Sequence, residues 1–200
     1  MSAQFVLISR FPLAAQASES LRTLLKDTES CRYLFDFEKT ELLQLRAFSD
    51  RLEFANSFAT LQKDLEQFTE FMVADVQREL VEMVEAPKPV ATLLPTNQYI
   101  QLRHVEVPPQ KFGIYRAWRE KTIFGVVREN AEVETFLAYH SVISTQPGVM
   151  FISGFSCEPA VYQAIFSSEK YKEIVRQAGD TYITGGTNGL YTRLYARFDL

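Results

Sequence analysis

At 200 residues the chain has room for one large domain or two small ones, taking ~150 residues per domain as a guide. Its 46% hydrophobic content, with 16 Phe, 9 Tyr and 1 Trp, supplies a core and excludes general disorder. A net charge of -4 gives no basic footprint, so nucleic acid is not expected as the main partner.

Gln4 to Phe11 reads as a strand, and Pro12 leads from it into a helix near Ala14 to Lys26. Arg32 to Glu38 and Glu41 to Phe48 read as two strands around Lys39-Thr40. A helix then starts near Arg51, its stripe made by Leu52, Ala55, Phe58, Leu61, Leu65, Phe68 and Met72. Val76 to Glu85 suits a continued helix or a strand on periodicity alone. Pro87, Pro89 and Pro95 mark a connection without helix or central strand. Beyond it, Tyr99 to Val107 alternates as a strand and is stopped by Pro108-Pro109. From Lys111 to Asn130, Phe112, Tyr115, Trp118 or Arg119, Thr122, Ile123 and Val126 recur at helical spacing. Glu134 to Ser144 and Gly148 to Cys157 form a predicted antiparallel hairpin turning at Gln146-Pro147-Gly148. Pro159 opens a helix whose stripe is Val161, Tyr162, Ile165, Phe166, Ile174 and Val175, with Gly179 as its stop. Leu190 to Phe198 is the closing strand.

The order in the second half is βαββαβ, the ferredoxin-like arrangement. Gln4-Phe5-Val6-Leu7-Ile8-Ser9-Arg10-Phe11 lines up in pattern with Gln98-Tyr99-Ile100-Gln101-Leu102-Arg103-His104-Val105 at an offset of 94. The repeat decides the ambiguous Val76 to Glu85 in favour of a strand. The fold class expected is therefore α+β, with two tandem ferredoxin-like βαββαβ units, residues 1–90 and 96–200, forming an α+β barrel. Residues 1–97 carry ten Lys and Arg against fifteen Asp and Glu, an excess clustered between Asp64 and Glu85 and read as a solvated helix face.

Cys31 and Cys157 make no C-x-x-C pair, which argues against a disulfide framework and for a reduced, cytoplasmic setting. Met1-Ser2-Ala3-Gln4 lacks the basic start of a secretory signal, and Arg10 breaks the apolar run that follows. Thr135 to Cys157 is charge-free and long enough to span a bilayer, but its central turn divides it into two strands, so no membrane partner is expected.

Two βαββαβ units, each opening with a strand such as Tyr99-Ile100-Gln101-Leu102-Arg103, resemble the dimeric α+β barrel superfamily, which includes antibiotic-biosynthesis-type monooxygenases and NIPSNAP-like proteins. The resemblance implies two four-stranded sheets packed face to face into a barrel with helices outside. A fused pair would do within one chain what single-domain relatives do by dimerising, so a homo-oligomer is not required. The superfamily hosts oxygenases, isomerases, haem enzymes and non-catalytic proteins, and the fold alone does not choose among them.

His104 and His140 are the only side chains that titrate near neutral pH without a perturbed environment, and both fall on strands of the second unit. An imidazole on an otherwise apolar face serves as a general base, a haem ligand or a hydrogen-bonded core residue. Two histidines 36 positions apart offer too few ligands for a protein-only zinc site, so no metal is expected. The last strand alternates Tyr191, Arg193, Tyr195 and Arg197, a ladder able to hold an anion or to pair across strands with glutamates. Arg103, with Gln101 and Tyr99, makes a similar polar face on the neighbouring opening strand. Trp118 either lines a pocket between helix and sheet or belongs to the core. Gly185-Gly186-Thr187-Asn188-Gly189 reads as a turn, not a phosphate cradle, and Cys157 as a structural thiol.

These readings converge on a protein with a small-molecule pocket, mainly in the second unit. The leading function is an oxygenase-like or isomerase-like enzyme, without a metal or other cofactor, acting on a hydrophobic, partly anionic small organic molecule. His140 or His104 would move the proton, and Arg103, Arg193, Tyr195 and Trp118 would hold the ligand. The alternative is a non-catalytic binding or assembly module, and a third reading is haem binding through one histidine.

Overall fold

In the computed structural model, which describes residues 2–198, the first half of the chain runs β1 (Phe5–Pro12), α1 (Ala17–Arg22), β2 (Cys31–Asp36), β3 (Glu41–Phe48), α2 (Arg51–Ala55), α3 (Phe58–Phe68) and β4 (Gln77–Lys88). The second half runs β5 (Tyr99–Val105), α4 (Phe112–Lys121), α5 (Ile123–Glu129), β6 (Thr135–Ile143), β7 (Val149–Phe155), α6 (Pro159–Ser167), α7 (Glu169–Thr181) and β8 (Leu190–Ala196). Val76 to Glu85 is thus the strand that the repeat called for, not a continued helix.

The strands pair antiparallel in the closed order β1-β3-β2-β8-β5-β7-β6-β4 and back to β1. Each half contributes four neighbours in the same relative order, and the halves join edge to edge at two hydrogen-bonded seams. The β4·β6 seam runs from Leu80 opposite Ile143 to Lys88 opposite Phe136, with three shifts of register. The β2·β8 seam is short, pairing Phe35 with Ala196 and Asp36 with Tyr195. Closure removes most of the sheet edge that otherwise invites aggregation, and the two-residue β2·β8 seam leaves Cys31–Leu34 and Leu190–Leu194 paired on one side only.

Alternation along each strand divides the core. Val6, Ile8, Leu43, Leu45, Val81, Ile100, Leu102, Leu137, Tyr139, Met150 and Ile152 point inward and fill the centre of the barrel. On the outside of the second half, Phe136, Ala138, Phe151 and Phe155 pack under α4 to α7. Both faces of this hairpin are covered over most of its length, which explains why it carries no charge. Val142 and Ile143 are the exception, 49% and 61% exposed where β6 runs out. At the turn, a Cβ on Gly148 would collide with the Val105 carbonyl oxygen and the His104 ring.

Three helices predicted as continuous are broken. The first stops at Asn56 and restarts after Ser57, with Asp50 capping α2 by accepting from the backbone N–H groups of Leu52 and Glu53 at 2.8 and 2.9 Å. The second breaks at Thr122, whose hydroxyl donates back to the Trp118 carbonyl at 2.8 Å. The third breaks at Ser168, which turns to an extended conformation and caps α7. Each break lets a helix pair bend around the curved sheet. No helix among the described residues is long and apolar enough to cross a membrane.

Candidate active site

One end of the barrel interior is polar. Past the apolar centre, the inward positions are taken by Arg10 on β1, Glu41 on β3, Glu79 on β4, His104 on β5, and Tyr191, Arg193 and Tyr195 on β8. The register sets their neighbours: His104 lies opposite Tyr191, Leu102 opposite Arg193 and Ile100 opposite Tyr195. The His104 ring stacks on Tyr191 with centroids 4.8 Å apart, and its Nε2 lies 3.0 Å from the Gln146 carbonyl oxygen. Burial lowers the pKa of His104, so its neutral form is favoured. Tyr195 donates to Glu41 Oε1 at 2.6 Å. Burial and the neighbouring Glu41 carboxylate both raise the pKa of this phenol.

A pocket of about 480 Å³ opens at this mouth, lined by Ile8, Arg10, Arg78, Glu79, Gln146 and Arg193 among others. Its charged groups are incompletely paired. Arg10 and Arg193 approach Glu41 at 3.7 and 3.9 Å, outside hydrogen-bond distance, and Arg10 Nη1 is buried with no hydrogen-bond partner. Glu79 Oε1 is likewise buried without a hydrogen bond. Burial pushes the Glu79 carboxyl up to about 7, against the opposing pull of Arg10 and the Ser144 hydroxyl. A second pocket, of about 380 Å³, lies on the other side of Arg193 against Asp36, Thr40, Glu41 and Tyr195.

The structure separates the other residues singled out from the sequence. His140 is on the outer face of β6, with Nδ1 3.1 Å from the Ser141 carbonyl oxygen and its ring edge-on to Phe112 at 4.6 Å. Arg103 also points outward, donating to the Tyr171 hydroxyl at 2.6 Å and lying over the Phe166 ring. Arg103 and the Tyr191, Arg193, Tyr195 ladder therefore occupy opposite faces of the same strand pair. Trp118 packs with Tyr115 and Tyr182. Between sheet and helices of the second half, the space beside Arg103 amounts to only about 10 Å³. The pocket is in the mouth that both halves share, not within the second half.

Arg10 and Glu79, which the sequence reading passed over, carry the same signal as His104. Each is an ionisable residue continuing an inward apolar alternation, Val6-Ile8-Arg10 on β1 and Met83-Val81-Glu79 on β4. Neither histidine lines either mouth pocket, and His104 Nε2 is engaged by Gln146, so the two imidazoles do not fit the role of haem ligand in this arrangement. Among the described residues, no three His, Cys, Asp or Glu side chains gather as a metal-binding group.

This closed eight-stranded barrel with ferredoxin-like halves and helices outside is the α+β barrel architecture that the sequence led one to expect, formed within one chain. No protein-family model matches the chain, and a comparison with curated proteins gives no match. Solved structures do match over nearly its full length. A protein from Fusobacterium nucleatum, provisionally assigned as a monooxygenase, is 11% identical with a TM-score of 0.67 over 98% of this chain and 92% of that one. An anthrone oxidase-like protein is 12% identical, with a TM-score of 0.65 over 96% and 90%. A heme-degrading enzyme from Listeria monocytogenes is 9% identical, with a TM-score of 0.59 over 96% and 99%. At these identities the likeness is one of fold.

Proposed function

We propose that the barrel mouth binds a small organic acid and that the protein is an isomerase-like or oxygenase-like enzyme, working in the cytoplasm, in which Glu79 moves a proton on that acid. The observation that carries this reading is the presence in one pocket of two buried atoms without a hydrogen bond, Glu79 Oε1 and Arg10 Nη1, the latter held only by a 3.7 Å ion pair to Glu41. Desolvated polar groups without partners cost free energy unless something is held ready for them. A carboxylate would complete Arg10 and Arg193 by charge-assisted hydrogen bonds. Both reaction classes can begin by removing a proton from an activated position. A carboxyl with a pKa near 7 suits that task at neutral pH. His104, held on Gln146 and Tyr191, positions the ring of Tyr191 at the inner wall. Solved structures of the same fold include an anthrone oxidase-like protein and a heme-degrading enzyme, which is in keeping with small-molecule chemistry in such barrels.

The test is calorimetric titration of benzoate and hydroxybenzoates into the parent and into Arg10→Gln and Glu79→Gln. The parent should bind, and Arg10→Gln should weaken binding about tenfold or more, as loss of a charge-assisted contact does. Binding unaffected by Arg10→Gln, or no binding by any acid, would return the chain to the non-catalytic assembly reading.

A further inference from the structure

One wall residue of the mouth pocket, Arg78, also lines a separate pocket. On β4, Gln77 and Arg78 pair with β1 on one side, but β6 ends at Ile143, opposite Leu80. The turn Ser144 to Gln146 then lines the mouth instead of extending the sheet. A groove of about 280 Å³ lies on the outer surface, its walls including Leu7, Phe54, Phe58, Leu61, Leu80 and Ile143. Arg78 lines both spaces, and Ile143 in the groove is followed directly by Ser144 in the mouth.

Arg78 carries a charge that Asp64 and Asp75 balance only from beyond ion-pair distance. Its Nη2 donates to the Leu61 carbonyl oxygen at 3.1 Å, its Nε is buried without a partner, and it forms no salt bridge among the described residues. Burial lowers its pKa against the opposing pull of Asp64 and Asp75. Beside it, Phe58 and Ile143 are 62% and 61% exposed, large apolar side chains left in water on the groove's rim.

We propose that the ligand is an amphipathic carboxylic acid taken from solution, its acid group in the mouth among Arg10, Arg78 and Arg193 and its apolar tail laid past Arg78 in the groove of Phe58, Leu80 and Ile143. The inference rests on the proposed acid site and adds the chemistry of the rest of the molecule. A purely polar acid leaves the groove wet. A neutral hydrocarbon leaves Arg10 and Arg193 sharing the single Glu41 carboxylate at 3.7 and 3.9 Å, and Arg78 with no direct ion pair. An acid with an alkyl or arylalkyl tail satisfies both surfaces at once.

The experiment is a calorimetric series of butyrate, octanoate and decanoate, each kept below its micellar concentration, on the full chain and on Phe58→Ser and Ile143→Ser. Both changes fall on exposed side chains, and far-UV circular dichroism checks that each variant is folded. In the parent, affinity should rise about two- to fourfold for each methylene that enters the groove. In either variant the dependence on chain length should flatten. Equal affinity for all three acids would overturn the tail assignment while leaving the acid site standing. Binding of none of them would overturn both. A rise with chain length that persists unchanged in both variants would place the tail elsewhere and overturn the proposal.

Discussion

A carboxyl that titrates near pH 7 beside arginines couples ligand binding to pH. Glu79 is protonated and neutral below about 7 and repels an anionic ligand above it. Affinity for benzoate should therefore fall roughly tenfold as pH rises from 6 to 8, and titrations of Glu79→Gln should lose that dependence. Stability moves the same way. The folded chain holds this proton to about pH 7 and the unfolded chain only to the ordinary 4.5, so the folded state binds more protons between those values. Stability contributed by the protonated carboxyl is lost as pH rises through that window, and urea midpoints of Glu79→Gln should show a shallower decline. Burial also separates two hairpin positions that look equivalent in sequence. Phe151 is 1% exposed and Val142 is 49% exposed. Phe151→Asp should cost several kcal/mol, about the scale of an unpaired buried charge, while Val142→Asp should stay within about 0.5 kcal/mol in thermal melts. The sequence shows the inward faces of Arg10 and Glu79 through their alternation, but not that each keeps a buried atom without a hydrogen bond, because that depends on which strand lies across the barrel.

At the scale of elements, strand positions were legible and helix continuity was not. Strand alternation fixed β5 to β8 to within a few residues, and the repeat settled β4 where periodicity was silent. The breaks at Asn56, Thr122 and Ser168 escaped detection because an amphipathic stripe continues across them. The contact between Arg103 and the β8 ladder, suggested by adjacency of the first and last strands, fails on register: Arg103 lies opposite Thr192, so it faces the helices. Arg119 shows what tertiary packing adds. It is fully buried on α4, ringed by Phe112, Tyr115, Phe124 and Phe151, and held by Glu85 of β4. Arg116 reaches the other oxygen of the same carboxylate at 2.9 Å. This ties a helix of the second half to a strand of the first across the β4·β6 seam. Glu85→Ala leaves Arg119 uncompensated and should cost about 3 kcal/mol in denaturant unfolding. Pairing it with Arg119→Met should recover most of that loss.

At the scale of the whole molecule, the barrel makes one mouth from two halves. β1, β3 and β4 bring Arg10, Glu41 and Glu79, and β8 and the β6–β7 turn bring Arg193 and Gln146. Neither half would hold this set alone, which is why a sequence read half by half located the pocket within the second unit. The alternation that makes the barrel centre apolar also delivers charged residues to its end, so fold and site have one origin in the two-residue strand period. The most direct test of the site is a carbon-13 NMR titration of the Glu79 carboxyl, free and with saturating octanoate. The midpoint should lie near 7 in the free protein and move upward when the bound anion makes ionisation of Glu79 harder. A midpoint near 4.5 that does not move on adding the acid would contradict the proposed acid site.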